Sequence, residues 1–144
     1  MTEQSLAERV HATESQAQQA LAANDWTKYD GERVKASNSG PVYLILHGHL
    51  RWIPNQATYT NLFASWDGIL VSDYLVDNVP QGPALTNGAV LAKGSHPQTY
   101  LVTNGQKLWI PNPETFKKFG FNAGKVVTVP DVVVDFIPTG PNVG

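Results

Sequence analysis

The sequence lacks cysteine entirely, and it contains only one methionine among its 144 residues. The absence of cysteine excludes disulfide bonds, thiolate metal sites and cysteine nucleophiles together. Charged residues make up only 15% of the chain and the net charge is −2, which does not suggest the basic patch of a nucleic-acid-binding protein. The nearest approach to such a patch is Lys117, Lys118 and Lys125, which we interpret as a solvated face.

Long apolar runs are absent as well. No stretch approaches the roughly 20 apolar residues that span a bilayer, so we expect no transmembrane segment. Met1 to Val10 lacks the basic and apolar regions of a secretory signal peptide. Synthesis for the cytoplasm, export by a signal-independent route, and a mature form of a longer protein are all compatible with this start.

The most informative feature is an internal repeat. Trp52-Ile53-Pro54-Asn55 recurs 57 positions later as Trp109-Ile110-Pro111-Asn112, and Tyr43-Leu44 recurs as Tyr100-Leu101 at the same offset. Further along, Asp73 matches Asp131 at an offset of 58, which indicates one residue gained between Phe63 and Val129. We therefore predict two repeat domains, 31–87 and 88–144, which pack together as one domain because such units seldom bury a core alone.

Each repeat opens with a hairpin signal. Asn104-Gly105 lies between two alternating runs, and this pair favours a two-residue turn in which both residues have positive φ. His47-Gly48 occupies the same place in the first repeat. The register then sets Tyr43 opposite Trp52, and Tyr100 opposite Trp109. We interpret the face that carries these pairs, together with Ile45, Leu50 and Val102, as core.

A short helix and a strand follow each hairpin. Asn55 and Asn112 are suited to cap the helices, and Pro113 suits a first helical position. Asp73 and Asp131 are interpreted as caps of a second short helix or turn. We predict that the C-terminal strand, 140–143, pairs near Arg33-Val34 and closes the repeats into a ring, within one chain or between two.

The segment 1–30 differs in composition and is predicted to be an amphipathic helix with a joint. Ser5 and Glu8 have the spacing of a capping box, and Leu6, Val10 and Leu21 share one helical face. This helix either packs on the repeats, self-associates, or acts as a tether. The fold class is therefore α+β, mainly β: an N-terminal helix and two tandem repeats, each a β-hairpin, a short helix and a strand.

No constellation for catalysis is apparent. His47 and His49 flank a turn, but the second repeat has Asn104 and Gln106 in their places, so we expect no metal site. The recurring carboxylates, Asp73 and Asp131 among them, resemble a glycosidase pair only in residue type, and helix capping accounts for them better. Because nucleophile-elbow and phosphate-loop motifs are also missing, we expect no enzyme and no cofactor.

The aromatic residues suggest a binding function. Most suit a repeat core, but Trp66 occurs in one repeat only, in the polar loop Ser65-Trp66-Asp67-Gly68. An exposed indole can stack on a sugar ring while amides and carboxylates bind the hydroxyl groups. The candidate ligand-binding residues are Trp66, Asp67, Tyr74, Asn61 and Asn122.

The repeat also resembles a known kind of sequence. The pattern Tyr-Leu-Val-x-Asn-Gly-x-Lys-x-Trp-Ile-Pro-Asn-Pro, at residues 100–113, is similar to a tandem repeat of bacterial secreted and cell-envelope proteins. The resemblance covers 31–144 and implies an extracellular accessory module that binds or adheres and has no catalytic residues. It favours a secreted or cell-surface location.

Together these observations lead us to expect a non-enzymatic, lectin-like protein. Its partner would be a glycan or another cell-surface ligand, and a homo-oligomer would raise the avidity of weak sugar sites. The alternative is a structural or assembly protein, such as a toxin component or a surface-layer piece, that oligomerises through the helix and the repeats. A hydrolase that uses the repeated aspartates is the third reading.

Overall fold

The computed structural model describes residues 25–144, and the predicted N-terminal helix lies outside them. The described chain is a mixed α/β protein, mainly strands, with two four-stranded sheets and four short α-helices. The first sheet is formed by β1 (Arg33–Lys35), β2 (Val42–Leu46), β3 (His49–Trp52) and β4 (Leu70–Val71). The second is formed by β5 (Val90–Lys93), β6 (Thr99–Thr103), β7 (Gln106–Ile110) and β8 (Val127–Thr128). The helices are α1 (Gln56–Leu62), α2 (Asp73–Asn78), α3 (Pro113–Lys118) and α4 (Asp131–Phe136).

The two sheets have the same strand order and the same sense of pairing. The orders are β3-β2-β1-β4 and β7-β6-β5-β8, and only the pairs β1–β4 and β5–β8 are parallel. Tyr43 lies opposite Trp52, and Tyr100 lies opposite Trp109, as the hairpin signals predict. A two-residue turn fixes the register of its hairpin, so the turn residues are sufficient to predict these cross-strand pairs.

Both hairpin turns have the left-handed conformation that this turn type requires. The φ angles are 53° and 74° at His47 and Gly48, and 54° and 72° at Asn104 and Gly105. Histidine and asparagine are both enriched among non-glycine residues in this region, and a side chain supports the first turn. The buried carboxylate of Asp30 accepts hydrogen bonds from the His47 and Gly48 amides, at 3.0 and 2.8 Å.

Contacts divide the chain into two compact units. Of the described residues, the first unit contains 25–52 and 68–83, and the second contains 53–67 and 84–144. Helix α1 lies in the first repeat of the sequence but belongs to the second unit, where it contacts β5. The boundaries 31–87 and 88–144 therefore stay a prediction about the sequence repeat and are not the boundaries of the compact units.

The first unit has an apolar core on one face of its sheet. Ile45, Leu50 and Leu75 are at most 1% exposed there. Trp26 precedes a 3₁₀ turn at Thr27–Tyr29, and Tyr29 is the last residue of that turn. Both are 6% exposed and complete the same cluster. The sequence prediction of Ile45 and Leu50 as core residues is confirmed.

The second hairpin buries the face opposite to the predicted one. Leu101, Leu108 and Ile110 are at most 5% exposed, whereas Trp109 is 37% exposed. Trp52 of the first hairpin is 41% exposed, and Val102 is only half-buried. The core assignment was therefore wrong for these three residues. In β7, Trp109 shares its side of the strand with Lys107, which keeps that side at the surface.

The position of the extra residue stays a prediction. Ser72 donates its amide proton to the Lys35 carbonyl at 3.0 Å, and Val129 donates to the Lys93 carbonyl at 2.9 Å. These two donors are 57 positions apart in sequence and the two acceptors are 58 apart, so the bonds do not locate a single insertion.

The C-terminal segment follows β7. The Gly140 amide donates to the Lys107 carbonyl at 2.9 Å, and the Val143 amide donates to the Trp109 carbonyl at 2.8 Å. Both neighbours of β1 in its sheet are other strands, β2 and β4. The predicted pairing of 140–143 near Arg33-Val34 is therefore wrong within one chain, because β1 has no open edge.

Candidate functional site

Trp66 lies on a rigid aromatic support in the second unit. Its indole stacks on the Tyr59 ring with centroids 3.8 Å apart and an angle of 14° between the planes. Tyr59 is 1% exposed, whereas Trp66 is 49% exposed. One side of the indole is thus covered by a buried ring, and about half of the residue's surface is open to solvent.

Hydrogen bonds hold the loop that presents Trp66. The Tyr59 hydroxyl donates to the Ser65 carbonyl at 2.6 Å, and the Asp67 amide donates to the Ser65 hydroxyl at 2.9 Å. On the N-terminal side, the Ala64 amide donates to the Gly120 carbonyl at 2.9 Å. The same tyrosine therefore supports the indole through its ring and fixes the preceding peptide through its hydroxyl.

Helix α1 places Tyr59 because its first turn is well capped. Asn55 is the N-cap residue, and its side-chain oxygen accepts from the Thr58 amide at 2.8 Å. The Asn55 amide nitrogen donates to the Asn87 side-chain oxygen at 2.7 Å, and the Gly88 amide donates to the Thr58 hydroxyl at 3.0 Å. This network fixes the start of α1, one turn before Tyr59.

Three other predicted site residues belong to the same unit as Trp66. Asp67 is exposed beside it. Asn61 is half-buried in α1 and donates to the Ala89 carbonyl at 3.3 Å. Asn122 donates its backbone amide to the Leu62 carbonyl at 2.8 Å, while its side chain caps the 3₁₀ turn Ala123–Lys125. Both asparagine side chains thus make structural hydrogen bonds. Asp67 carries the carboxylate that is nearest to Trp66 in sequence.

Tyr74, the fifth predicted residue, lies in the first unit. It is half-buried and packs against the apolar core cluster that contains Leu75. The structure therefore does not assemble it with Trp66 in one compact unit.

A row of aromatic rings continues from Trp66 through the second unit. Tyr59 contacts Phe63 at 4.8 Å between centroids, Phe63 contacts Phe121 at 5.7 Å, and Phe121 contacts Phe116 at 5.6 Å. Phe63 and Phe121 also form a backbone bridge between their segments. This row ends at the wall of a groove.

The groove has a volume of about 960 Å³ and lies wholly within the second unit. Trp109, Phe116 and Phe121 contribute aromatic surface to its wall. Its polar lining consists of Lys93, Gln98, Thr99, Asn112, Lys117 and Thr128. The lining contains two ammonium groups and no carboxylate.

The sequence reading missed this groove. It assigned Trp109 to the core and Lys117 to a solvated face. The alternation of Lys107 and Trp109 with Leu108 and Ile110 was the available signal that Trp109 is not a core residue. No local signal predicts that Lys93 and Lys117 line the same groove, because β5 and α3 are distant in sequence.

Each of the repeated aspartates accepts two hydrogen bonds from a serine residue. The Asp73 carboxylate accepts from the Ser37 amide at 2.8 Å and from the Ser37 hydroxyl at 2.7 Å. Asp131 accepts in the same way from Ser95, at 2.7 and 2.6 Å. The serine hydroxyl, and then the serine amide, hold the pKa of each carboxyl below its ordinary value. The prediction that these aspartates cap their helices is wrong, because the N-cap residues are Ser72 and Pro130. Each aspartate is instead the first residue of its helix and ties that helix to a loop.

The histidines of the first turn are used locally. His49 donates from Nδ1 to the His47 carbonyl at 2.9 Å. Between residues 25 and 144, no three residues of histidine, aspartate or glutamate converge in a way that would hold a metal ion. Within the same range, none of the helices is both long and apolar enough to cross a membrane.

Comparison with known proteins adds no relative. The chain matches no protein-family model, no curated protein and no solved structure.

Proposed function

We propose that this chain is a non-enzymatic carbohydrate-binding protein of lectin-like character, and that Trp66 is its main stacking residue. The observation that carries the proposal is the indole of Trp66, 49% exposed and stacked at 3.8 Å on the buried Tyr59. A rigid, supported aromatic face loses little conformational entropy when a pyranose ring covers it. Asp67 is the adjacent acceptor for sugar hydroxyl groups.

The wider setting of the proposal is an extracellular binding module. The resemblance of 100–113 to repeats of bacterial secreted and envelope proteins supports a secreted or cell-surface location. The proposed module consists of two tandem repeats that follow an N-terminal helix. Assembly of this module into a homo-oligomer would raise the avidity for a glycan that each site binds weakly. Tyr74, Asn61 and Asn122 are secondary candidates within this proposal.

The test is a glycan-array screen followed by titration of the glycan that binds. We expect Trp66→Ala to weaken binding by about tenfold, since the loss of a stacking contact of about 1.4 kcal/mol changes affinity by that factor. Trp66→Tyr should retain part of the affinity, because a phenol ring can still stack on Tyr59.

Trp52→Ala is the matched control, since Trp52 is also exposed, at 41%, but has no stacked aromatic support among the described residues. Unchanged binding by Trp66→Ala would remove Trp66 from the site. The absence of any glycan ligand would contradict the class of function.

The second candidate function is assembly, and helix α4 favours it. Val132 is 73% exposed and Phe136 is 87% exposed, on a helix only six residues long. An apolar helix surface of this kind is typical of a contact between proteins. A solution mass that rises with concentration, without any bound glycan, would favour assembly over sugar binding.

A further inference from the structure

We propose that the groove of the second unit is a separate binding site for an acidic saccharide, whose carboxylate is held between Lys93 and Lys117. The proposal rests on the proposed function only for the class of ligand, because it uses none of the residues around Trp66. The groove and the Trp66 face are therefore separable by mutation.

The charge of the groove is the first argument. Its lining includes two lysines and no aspartate or glutamate. Lys93 is half-buried at the end of β5, and Lys117 is exposed in the last turn of α3. Within the described part of the chain, neither ammonium group has an acidic partner. Two uncompensated positive charges on one concave surface attract an anion and disfavour a cation.

The groove wall is the second argument. Phe116 is half-buried and packs edge-on against Phe121, at 5.6 Å between centroids and with an angle of 66°. Such rings offer apolar area for the C–H face of a sugar. Phe121 is itself fixed by the parallel contact with Phe119, at 5.5 Å and 22°, so this wall is preorganised.

The hydroxyl and amide groups are the third argument. Gln98, Thr99, Asn112 and Thr128 line the groove among the apolar residues. The side-chain oxygen of Asn112 is occupied by the Thr115 amide at 2.8 Å, which turns its NH₂ group into the available donor. A ligand that fits must therefore combine a ring, several hydroxyl groups and a carboxylate, which describes a uronic acid unit.

The volume agrees with a short oligomer. A groove of about 960 Å³ lies at the upper end of the range for small-molecule sites, roughly 300–1,000 Å³. Two or three sugar units occupy such a space, and a single monosaccharide leaves much of it to water.

The experiment is a calorimetric titration of the full chain with galacturonic acid trisaccharide, beside the neutral galactose trisaccharide. We expect the acidic sugar to bind more tightly, and the difference to shrink as salt is raised. Lys93→Gln and Lys117→Gln should each weaken the acidic sugar by about threefold to tenfold, the range of a partly screened ion pair. Neither variant should change the binding of any neutral glycan at Trp66.

Lys118→Gln is the matched control, since Lys118 is the next residue of the same helix and does not line the groove. Circular dichroism establishes that each variant is folded. Equal loss with Lys118→Gln, or equal affinity for the neutral sugar, would overturn the proposal. A polyglutamate peptide is the third titrant, and binding as tight as that of the acidic sugar would show a peptide site instead.

The outcomes for the two sites are distinguishable. If the groove variants lose the acidic sugar while Trp66→Ala retains it, the groove site stands. The Trp66 site falls only if Trp66→Ala leaves the binding of the array-selected glycan unchanged. If neither sugar acid nor peptide binds the parent chain, the groove proposal is overturned, whatever the Trp66 face binds.

Discussion

At the scale of single residues, polar side chains fix backbone segments that are distant in sequence. Asp30 bonds to the turn amides of His47 and Gly48, 17 and 18 positions later. Asp73 and Asp131 each bond to a serine 36 positions earlier. These hydrogen bonds give the acidic residues a structural role, so a catalytic role is not needed to account for them. Charge-assisted hydrogen bonds of this type are about twice as strong as neutral ones.

The first prediction concerns acid. Because Ser37 and Ser95 depress the pKa of Asp73 and Asp131, the stabilisation that the two carboxylates provide is complete above the ordinary aspartate pKa of about 3.9. It declines as the pH falls below that value and is lost once the pH passes through the lowered pKa of the folded state. Thermal unfolding followed from pH 6 to pH 2 should show this decline.

The serine variants provide the comparison. Ser37→Ala and Ser95→Ala should lower the melting temperature near neutral pH and make it less dependent on acid, since the folded pKa then moves back toward its unfolded value. Gly94→Ala adds a further check, because a Cβ at this position would clash with the Asp131 Oδ1 atom. An acid profile identical to that of the parent chain would show that these bonds contribute nothing.

At the scale of elements, two Pro-x-Gly-Pro segments, 80–83 and 138–141, pair with the outer strands of the sheets. The Leu50 amide donates to the Pro80 carbonyl at 2.8 Å, and the Gly82 amide returns a bond to the Leu50 carbonyl at 2.9 Å. Lys107 makes the equivalent pair of bonds with Pro138 and Gly140. The motif thus covers the edges of β3 and β7, which would otherwise present unpaired peptide groups.

A second prediction follows for the two glycines. A Cβ at Gly82 would lie 2.9 Å from the His49 Cβ, which cannot move without its strand, whereas a Cβ at Gly140 would meet the flexible end of Gln106 at 2.7 Å. Gly82→Ala should therefore lower the free energy of unfolding by about 1–3 kcal/mol, as other overpacked positions do. Gly140→Ala should have a smaller effect, and urea unfolding of both variants measures the difference. Equal losses would mean that Gln106 is as constrained as His49.

The elements themselves were largely predictable, since their signals are local. Asn-Gly pairs, N-cap asparagines and the periodicity of two gave the hairpins, their register and the helix starts. The buried face of the second hairpin was not predicted, because the Tyr100–Trp109 pair was weighted above Lys107. The groove was not predicted either, since Lys93 and Lys117 line it only as a result of the tertiary fold. The Trp66 loop was found from composition, but its stacking on Tyr59 was not.

At the scale of the whole molecule, the two units differ most in how their last helix is covered. Leu75 of α2 is fully buried in a cluster with Trp26 and Tyr29. Val133, its counterpart in α4, is 43% exposed. The positions 57 residues after Trp26 and Tyr29 are Pro83 and Thr86, so the sequence repeat has no second copy of this aromatic pair. An apolar helix without such a cover is the strongest feature in favour of association.

The third prediction tests this association. Phe136→Ser and Val132→Ser should reduce concentration-dependent self-association, which sedimentation velocity over a hundredfold range of concentration detects. Trp52→Ser, at an aromatic residue that is also exposed, serves as the control and should leave the mass unchanged. A parent chain that stays monomeric throughout that range would exclude assembly through α4.

The placement of α1 has a consequence for how this chain is inherited and made. The segment 53–67 lies between strands of one unit in sequence but supplies Tyr59 and Leu62, both buried, to the other. The sequence repeat and the compact unit therefore have different boundaries. A gene fragment cut at the repeat boundary, before Gly88, would encode the complete second sheet without the helix that contacts β5. Recombination that respects the repeat would thus break the fold, and recombination that respects the fold would have to divide the repeat.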